Sequence, residues 1–239
     1  MPRLAITNTV GSTLTREVDD SLYIRARPEI SVAATKTFVS QVVTLGLLTV
    51  HLGRVRDALT AEQAGDLLES LRSLPDAIQH VLDDNQHILQ VADRYNDGEG
   101  FFFVRRRVVH PVALESALKL KGIAYVHAEG FAAGELKHGP LALVTERTPV
   151  IALLTDYSAR EETLSNVREV RSRGAPVIGL SSDPEVERVC ETVIEVPETG
   201  VSEPLVANVA LQLSAYHIAD SEGRSIDKPR NLARSVTVE

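Results

Sequence analysis

Between Glu115 and Pro140 the chain reads ESALKLKGIAYVHAEGFAAGELKHGP. Two imidazoles, His127 and His138, stand there among lysines and carboxylates, and histidine gives and takes a proton near neutral pH. Glu115 precedes Lys119 by four residues, and Leu114, Ala117 and Leu118 recur at helical spacing, so the first part reads as a helix. After Tyr125 the small residues, Gly130, Gly134 and Gly139-Pro140 read as a long polar loop. Loops held between ordered elements are where binding groups collect. On residue types alone, a loop histidine is a hydrogen-bonded structural group in preference to a catalyst. The plain alternative for the stretch is a solvated connection with surface lysines.

Other chemistry-bearing residues are weaker. Arg105, Arg106 and Arg107 precede Pro111, a plausible first helical position. They read as a solvated basic turn in preference to an anion site at a helix start. Ser181-Ser182-Asp183 after an apolar run is the best internal candidate for a weak anion site. His51, His80 and His87 fall in helical patterns without metal-like grouping and read as structural. Cys190 is the single cysteine, which excludes an internal disulfide and a thiolate metal cluster. No GxGxxG follows a strand and no Walker-type loop occurs, so no dinucleotide or nucleoside triphosphate is supported. No cofactor or metal is expected.

These residues need elements to place them. Residues 3–10 and 22–24 read as short strands. Residues 29–59 read as one long helix, apolar nearly all round and hence buried on more than one side. Gly46 and Gly53 within it mark close helix packing. Thr60 and Gln63 form a capping box that opens a helical run to Tyr95, punctuated by Pro75. Asn96–Gly100 is a loop. Strands are then expected over 100–104, 149–155, 176–180 and 192–196, alternating with helices from Ser158 and at 203–222, with a short one at Asp183-Pro184. The predicted fold is α/β: a doubly wound parallel sheet flanked by helices over 100–222, preceded by part of a like domain (1–59) and a helical connector (60–99). Residues 223–239 form a polar tail. Ligands of such sheets bind beyond the carboxyl ends of the strands, here after Val104, Thr155 and Leu180.

A formal charge of -8 argues against a nucleic-acid partner. No apolar run is read as a membrane span, and nothing at Met1 resembles a signal peptide, so the expected location is the cytoplasm.

Three blocks carry a resemblance: LKLKGIAYVHAEGFAAGELKHGPLALV, DKPRNLARSVTVE at Asp227–Glu239 and PEISVAATKTFVSQ at Pro28–Gln41. Together, and in this order over essentially the whole chain, they resemble the sugar-isomerase (SIS) part of the glutamine–fructose-6-phosphate aminotransferases, the glucosamine-6-phosphate synthases. The resemblance implies a sugar phosphate as substrate and conversion of fructose 6-phosphate to glucosamine 6-phosphate with ammonia from glutamine. It places His138 as the ring-opening histidine, reaching a neighbouring subunit's site and so implying a homodimer. Lys119 matches a substrate-contacting lysine, and Arg234 stands in the tail at a catalytic position. Val32, Glu115, Arg230 and Ala233 fall in the substrate-binding set.

The departures are as informative. Gly122 stands where the family has the glutamate that moves a proton, and glycine has no side chain to do so. Arg234 stands where the family has an imine-forming lysine, and arginine stays protonated. The chain opens Met1-Pro2, without the glutamine-hydrolysing cysteine, and no SxSGxT-like loop occurs. The chain is therefore expected to be truncated and impaired as an enzyme. The alternatives are a non-catalytic sugar-phosphate-binding module or regulatory partner, and a remnant with no stable fold.

Overall fold

The structure, a computed structural model, describes residues 2–106, 109–155 and 160–233. The chain divides into two compact units, Met1–Ser73 and Leu74–Glu239.

In the first unit β1 (Leu4–Thr7) pairs in parallel with β2 (Asp20–Tyr23) across the short α1 (Thr13–Glu17). Ser12 caps α1 by accepting from the Thr15 N–H. The next helix, α2 (Lys36–Val55), starts later than the expected Glu29. Glu29 folds back instead: its carboxylate accepts from the Thr35 N–H and hydroxyl, each at 2.8 Å, and from the Thr37 hydroxyl. Burial pushes this carboxyl up, but those hydrogen bonds outweigh burial and hold it below its ordinary value.

Contrary to expectation, α2 is not buried on several sides. Val50 is its one buried residue among those described, and Leu45, Leu47 and Leu52 are exposed. Within the unit it packs on α3 (Ala61–Arg72) and β1. By length and composition alone α2 could cross a membrane, with mean hydropathy 1.4, which corrects the expectation that no apolar stretch reaches that length. The glycines do mark close packing. A Cβ on Gly46 would lie 3.4 Å from Leu71, and one on Gly53 would lie 2.6 Å from Leu59. The Thr60–Gln63 capping box is present with both bonds made.

The second unit begins with α4 (Leu74–Asp83) and α5 (Asn85–Tyr95). It then builds a five-stranded parallel sheet in the order β4-β3-β5-β6-β7. The strands are β3 (Phe101–Arg105), β4 (Ala128–Ala132), β5 (Val150–Leu153), β6 (Val177–Ser181) and β7 (Thr192–Glu195). Because successive side chains alternate, Phe101, Ile151, Ile178 and Ile194 face α5 and α8 (Glu203–Ser221). Phe102, Val104, Val150, Ala152 and Val177 face the other way, onto α7 (Arg160–Arg171).

The β3–β4 crossover is α6 (His110–Ala124), packed on α8. The β4–β5 crossover lies on the opposite face as two short 3-10 helices, Ala133–His138 and Pro140–Leu143, with Ala133 and Leu136 in the α7-side core. The order therefore reverses between β3 and β5, which is the switch point of a doubly wound sheet.

The expected polar loop after Tyr125 thus contains a strand and two 3-10 helices. Gly130 explains why β4 can sit there: a Cβ would lie 2.9 Å from the Leu114 N, so the strand presses against the α6 backbone. The α8 stripe is also broader than expected. Val206, Ala207, Asn208 and Ala210 are all buried while Tyr216 is exposed, since α4, α5 and α6 surround the helix. Its end is as expected, with Gly223 at φ +62. The Arg224 and Gly223 N–H groups donate to the Ala219 and Asp220 carbonyls, a Schellman close.

Candidate functional site

On α6, Lys119 is 5% exposed and its ammonium lies against the Glu115 carboxylate, one turn back. Removing either partner would strand a charge away from water. Gly122 lies on the next turn, and a Cβ there would be 3.9 Å from Leu232 Cδ1. The helix ends at Tyr125, in the left-handed region at φ 62, ψ 26. The Phe101 N–H donates to the His127 carbonyl at 2.9 Å, so this end of α6 lies at the amino end of β3.

The tail arrives at the same place. The Arg230 N–H donates to the Tyr125 hydroxyl at 2.7 Å. The Arg230 guanidinium carbon lies 4.4 Å from the Tyr125 ring centre, and that of Arg224 lies 5.4 Å away, both in cation–π range. Asn231 turns the chain at φ 60, and Leu232 reaches Gly122 while remaining half exposed. Ala233 is exposed beyond it. Arg234 lies outside the described residues.

Within the second unit the two histidine candidates lie apart from this group. His138 closes the first 3-10 helix and is exposed, on the sheet face opposite α6. Its neighbour Lys137 is 3.2 Å from Glu169 of α7. His127 is exposed, 3.9 Å from Glu129. Val32 belongs to the first unit, half-buried in the bend before α2. Of the sequence candidates, then, the structure brings together Glu115 with Lys119, and seats Arg230 on Tyr125 at the end of the same helix. Within one chain it does not join His138 to them among the described residues. His87, expected to be structural, bonds the Val193 carbonyl through Nε2 at 2.9 Å.

The carboxyl ends of the strands hold a different arrangement. Arg105 is fully buried and donates to the carbonyls of Leu153 and Arg106. Arg106 reaches Asn166 and Glu162 of α7. The expected solvated basic turn is therefore corrected for both residues, because the sheet and α7 close over them; Arg107 lies outside the described residues. Arg160 pairs with Asp183 at 2.7 Å. The Ser181 hydroxyl donates to Leu154 and the Ser182 hydroxyl to Glu203. Ser181-Ser182-Asp183 is thus no anion site: two carboxylates occupy it and its hydroxyls already donate. Burial pushes the Glu203 carboxyl up to about 7. The Ser182 hydroxyl and the Arg160 charge offset this in part, and Glu198 adds to it. Among the described residues no three His, Cys, Asp or Glu side chains group as a metal site would require.

Sequence reasoning missed Tyr125, Arg224 and Leu232. Its usable signal was a tyrosine at a helix end where glycine or asparagine is the usual residue. It also missed the Arg160–Asp183–Glu203 group, whose members are far apart in the chain and carry no local pattern.

The SIS domain family model matches residues 1–51 and 99–219. A Halobacterium salinarum protein named glutamine–fructose-6-phosphate aminotransferase [isomerizing] is 62% identical over 238 residues, covering all of this chain and 40% of its own length. A Thermus thermophilus protein of the same name is 49% identical over 239 residues, covering 99% of this chain and 40% of itself. The chain thus spans about 40% of the length of these curated relatives. Among solved structures, the C-terminal domain of glucosamine-fructose-6-phosphate aminotransferase from Francisella tularensis aligns with TM-score 0.88 at 35% identity, over 95% of this chain and 65% of that one. A glucosamine-6-phosphate deaminase from Thermotoga maritima aligns with TM-score 0.76 at 24% identity, over 98% and 66%, a likeness of fold.

Proposed function

The chain belongs to the SIS domain family, and from that we propose that it is the isomerase part of a glutamine–fructose-6-phosphate aminotransferase. Its reaction would convert fructose 6-phosphate to glucosamine 6-phosphate with ammonia derived from glutamine, in the cytoplasm. On this reading residues 1–59 are part of a first SIS domain, 60–99 a connector, 100–222 the second SIS domain and 223–239 the tail. The observation that carries the proposal is the tail seated against the turn of α6 that follows Lys119. Two of the three segments that resemble the family thus meet in space.

The reaction asks for an opened sugar ring, an activated C2 carbonyl, a base between C1 and C2, and a grip on the phosphate. His138 is proposed as the proton carrier for ring opening. It stands on the sheet face opposite α6, so a site holding both His138 and the tail needs a second copy of the chain. That supports a homodimer. Lys119, held by Glu115, is the proposed polar contact to the sugar, and Arg230 and Ala233 are proposed to cover it. Val32 is proposed, for the first unit alone, to contact a sugar through its backbone. Arg234 would stabilise an anionic intermediate by charge but form no imine. Gly122 supplies no base, so the isolated chain is proposed to turn over little.

The open space at Gly122 favours a second reading, a sugar-phosphate-binding module without catalysis. Two assays separate the readings. The purified chain, given fructose 6-phosphate and ammonia, should yield little glucosamine 6-phosphate; Gly122→Glu with Arg234→Lys should raise the yield if the first reading holds. Abundant product from the unaltered chain would contradict the weight placed on those two positions. Calorimetry with either sugar phosphate should show binding, and silence with both would remove the two readings together.

A further inference from the structure

We propose that Tyr125 is a positioning residue whose ring and hydroxyl fix the C-terminal segment 224–232 on the end of α6. Four contacts converge there. The hydroxyl accepts the Arg230 N–H at 2.7 Å. Arg230 and Arg224 lie over the ring at 4.4 and 5.4 Å. Leu232 rests beside Gly122, one turn before Tyr125. Arg224 is itself fixed at the other end, because its N–H closes α8 on Ala219 and its guanidinium lies 3.2 Å from Glu222. The segment is therefore held where α8 ends and again at Arg230, with one aromatic ring serving both arginines.

The backbone at Tyr125 gives a second, independent line. Its φ of 62 is a conformation in which glycine is comfortable and a bulky side chain is strained. Helices that end this way usually place glycine at that position. Strain retained at one residue asks what its side chain does in return. At Tyr125 the side chain carries the tail, and among the described residues no other aromatic ring stacks on Arg224 or Arg230. That the seated tail serves a sugar phosphate rests on the function proposed above; the seat itself does not.

The test is amide hydrogen exchange on the full chain, with melting temperature and fructose 6-phosphate titration on the same samples. Tyr125→Gly removes the ring while relaxing the backbone. The expected result is loss of protection across 224–232, with the melting temperature within about 4 °C of the parent. The affinity for fructose 6-phosphate should fall at least tenfold. Tyr125→Phe keeps the stack and loses the acceptor, so exchange should rise at the Arg230 amide alone, by roughly fivefold. Parent-like protection of 224–232 in Tyr125→Gly would overturn the proposal, as would release of the whole segment in Tyr125→Phe. If the parent binds no fructose 6-phosphate, the functional reading fails, while the exchange measurements still decide the seat.

Discussion

At the carboxyl ends of β3, β5 and β6, Arg105 and Arg160 are buried and spent on carbonyls and on Asp183, with Glu203 enclosed beside them. At the far end of α6, Arg224 and Arg230 lie exposed across a tyrosine ring, and Leu232 covers a glycine. Both regions are rich in arginine, yet one has turned its charges inward and the other keeps them on the surface. In a doubly wound sheet the first region is where a ligand is looked for. Among the described side chains here, Arg105, Arg160, Ser181 and Ser182 are engaged by carbonyls and carboxylates, while the buried Thr155 hydroxyl is left unpartnered. The contrast teaches that the same residue type can be used to close a sheet end and to carry a chain segment on the surface. The ion pairs differ in kind as well. Glu115–Lys119 is local, one helical turn, whereas Arg160–Asp183 ties α7 to the loop after β6.

The largest break in this comparison should come from Arg160→Met. It leaves the partly exposed Asp183 and the enclosed Glu203 without their cation, and losses of a buried partner cost about 3–5 kcal/mol. Denaturant midpoints should fall accordingly, while exchange protection of 224–232 below the transition stays unchanged. Release of the tail by this substitution would mean that the two regions are not independent.

Next in size is the pH response of Glu203. The unfolded residue ionises near 4.5 and the folded one near 7. Between those values the folded chain holds a proton that the unfolded chain has lost, so stability declines as pH rises from about 4.5 through 7. Above that range the fixed cost is roughly 3 kcal/mol. Glu203→Gln, which keeps an acceptor for the Ser182 hydroxyl, should flatten melting temperature between pH 5 and 8. An unchanged slope would assign the effect to another group.

The smallest effect is expected at the seat. Gly122→Glu replaces a helix glycine, and its Cβ would meet Leu232 at an ordinary 3.9 Å. Stability should rise by about 0.5–1 kcal/mol. A loss of stability would show that Leu232 needs the glycine, and the seat would then be tighter than described.

Much of the fold was legible because its signals are local. The Thr60–Gln63 box, the ends at Gly174 and Gly223 and the apolar runs of β3, β5 and β6 depend on residues close in sequence. β4 was not, since AEGFA is short, mostly small residues around one glutamate and one phenylalanine, and becomes a strand by pairing with β3. The extent of α2 was misjudged because Glu29 bonds to residues six and eight ahead and folds the segment before the helix back on it. The site was legible only in part for the same reason. Glu115–Lys119 is a helical spacing, but the Tyr125–Arg230 contact spans 105 residues. Nothing in the run Arg105–Arg107 announces that its first member is fully buried.

We propose that this chain meets its sugar phosphate at the seat beside α6 in preference to the described side chains at the carboxyl ends of β3, β5 and β6. The most direct test is a backbone amide NMR titration of the labelled chain with fructose 6-phosphate. The account predicts shifts at Lys119, Gly122, Tyr125 and Arg230, with Thr155, Ser181 and Ser182 unmoved. Shifts confined to Thr155, Ser181 and Ser182 would contradict it.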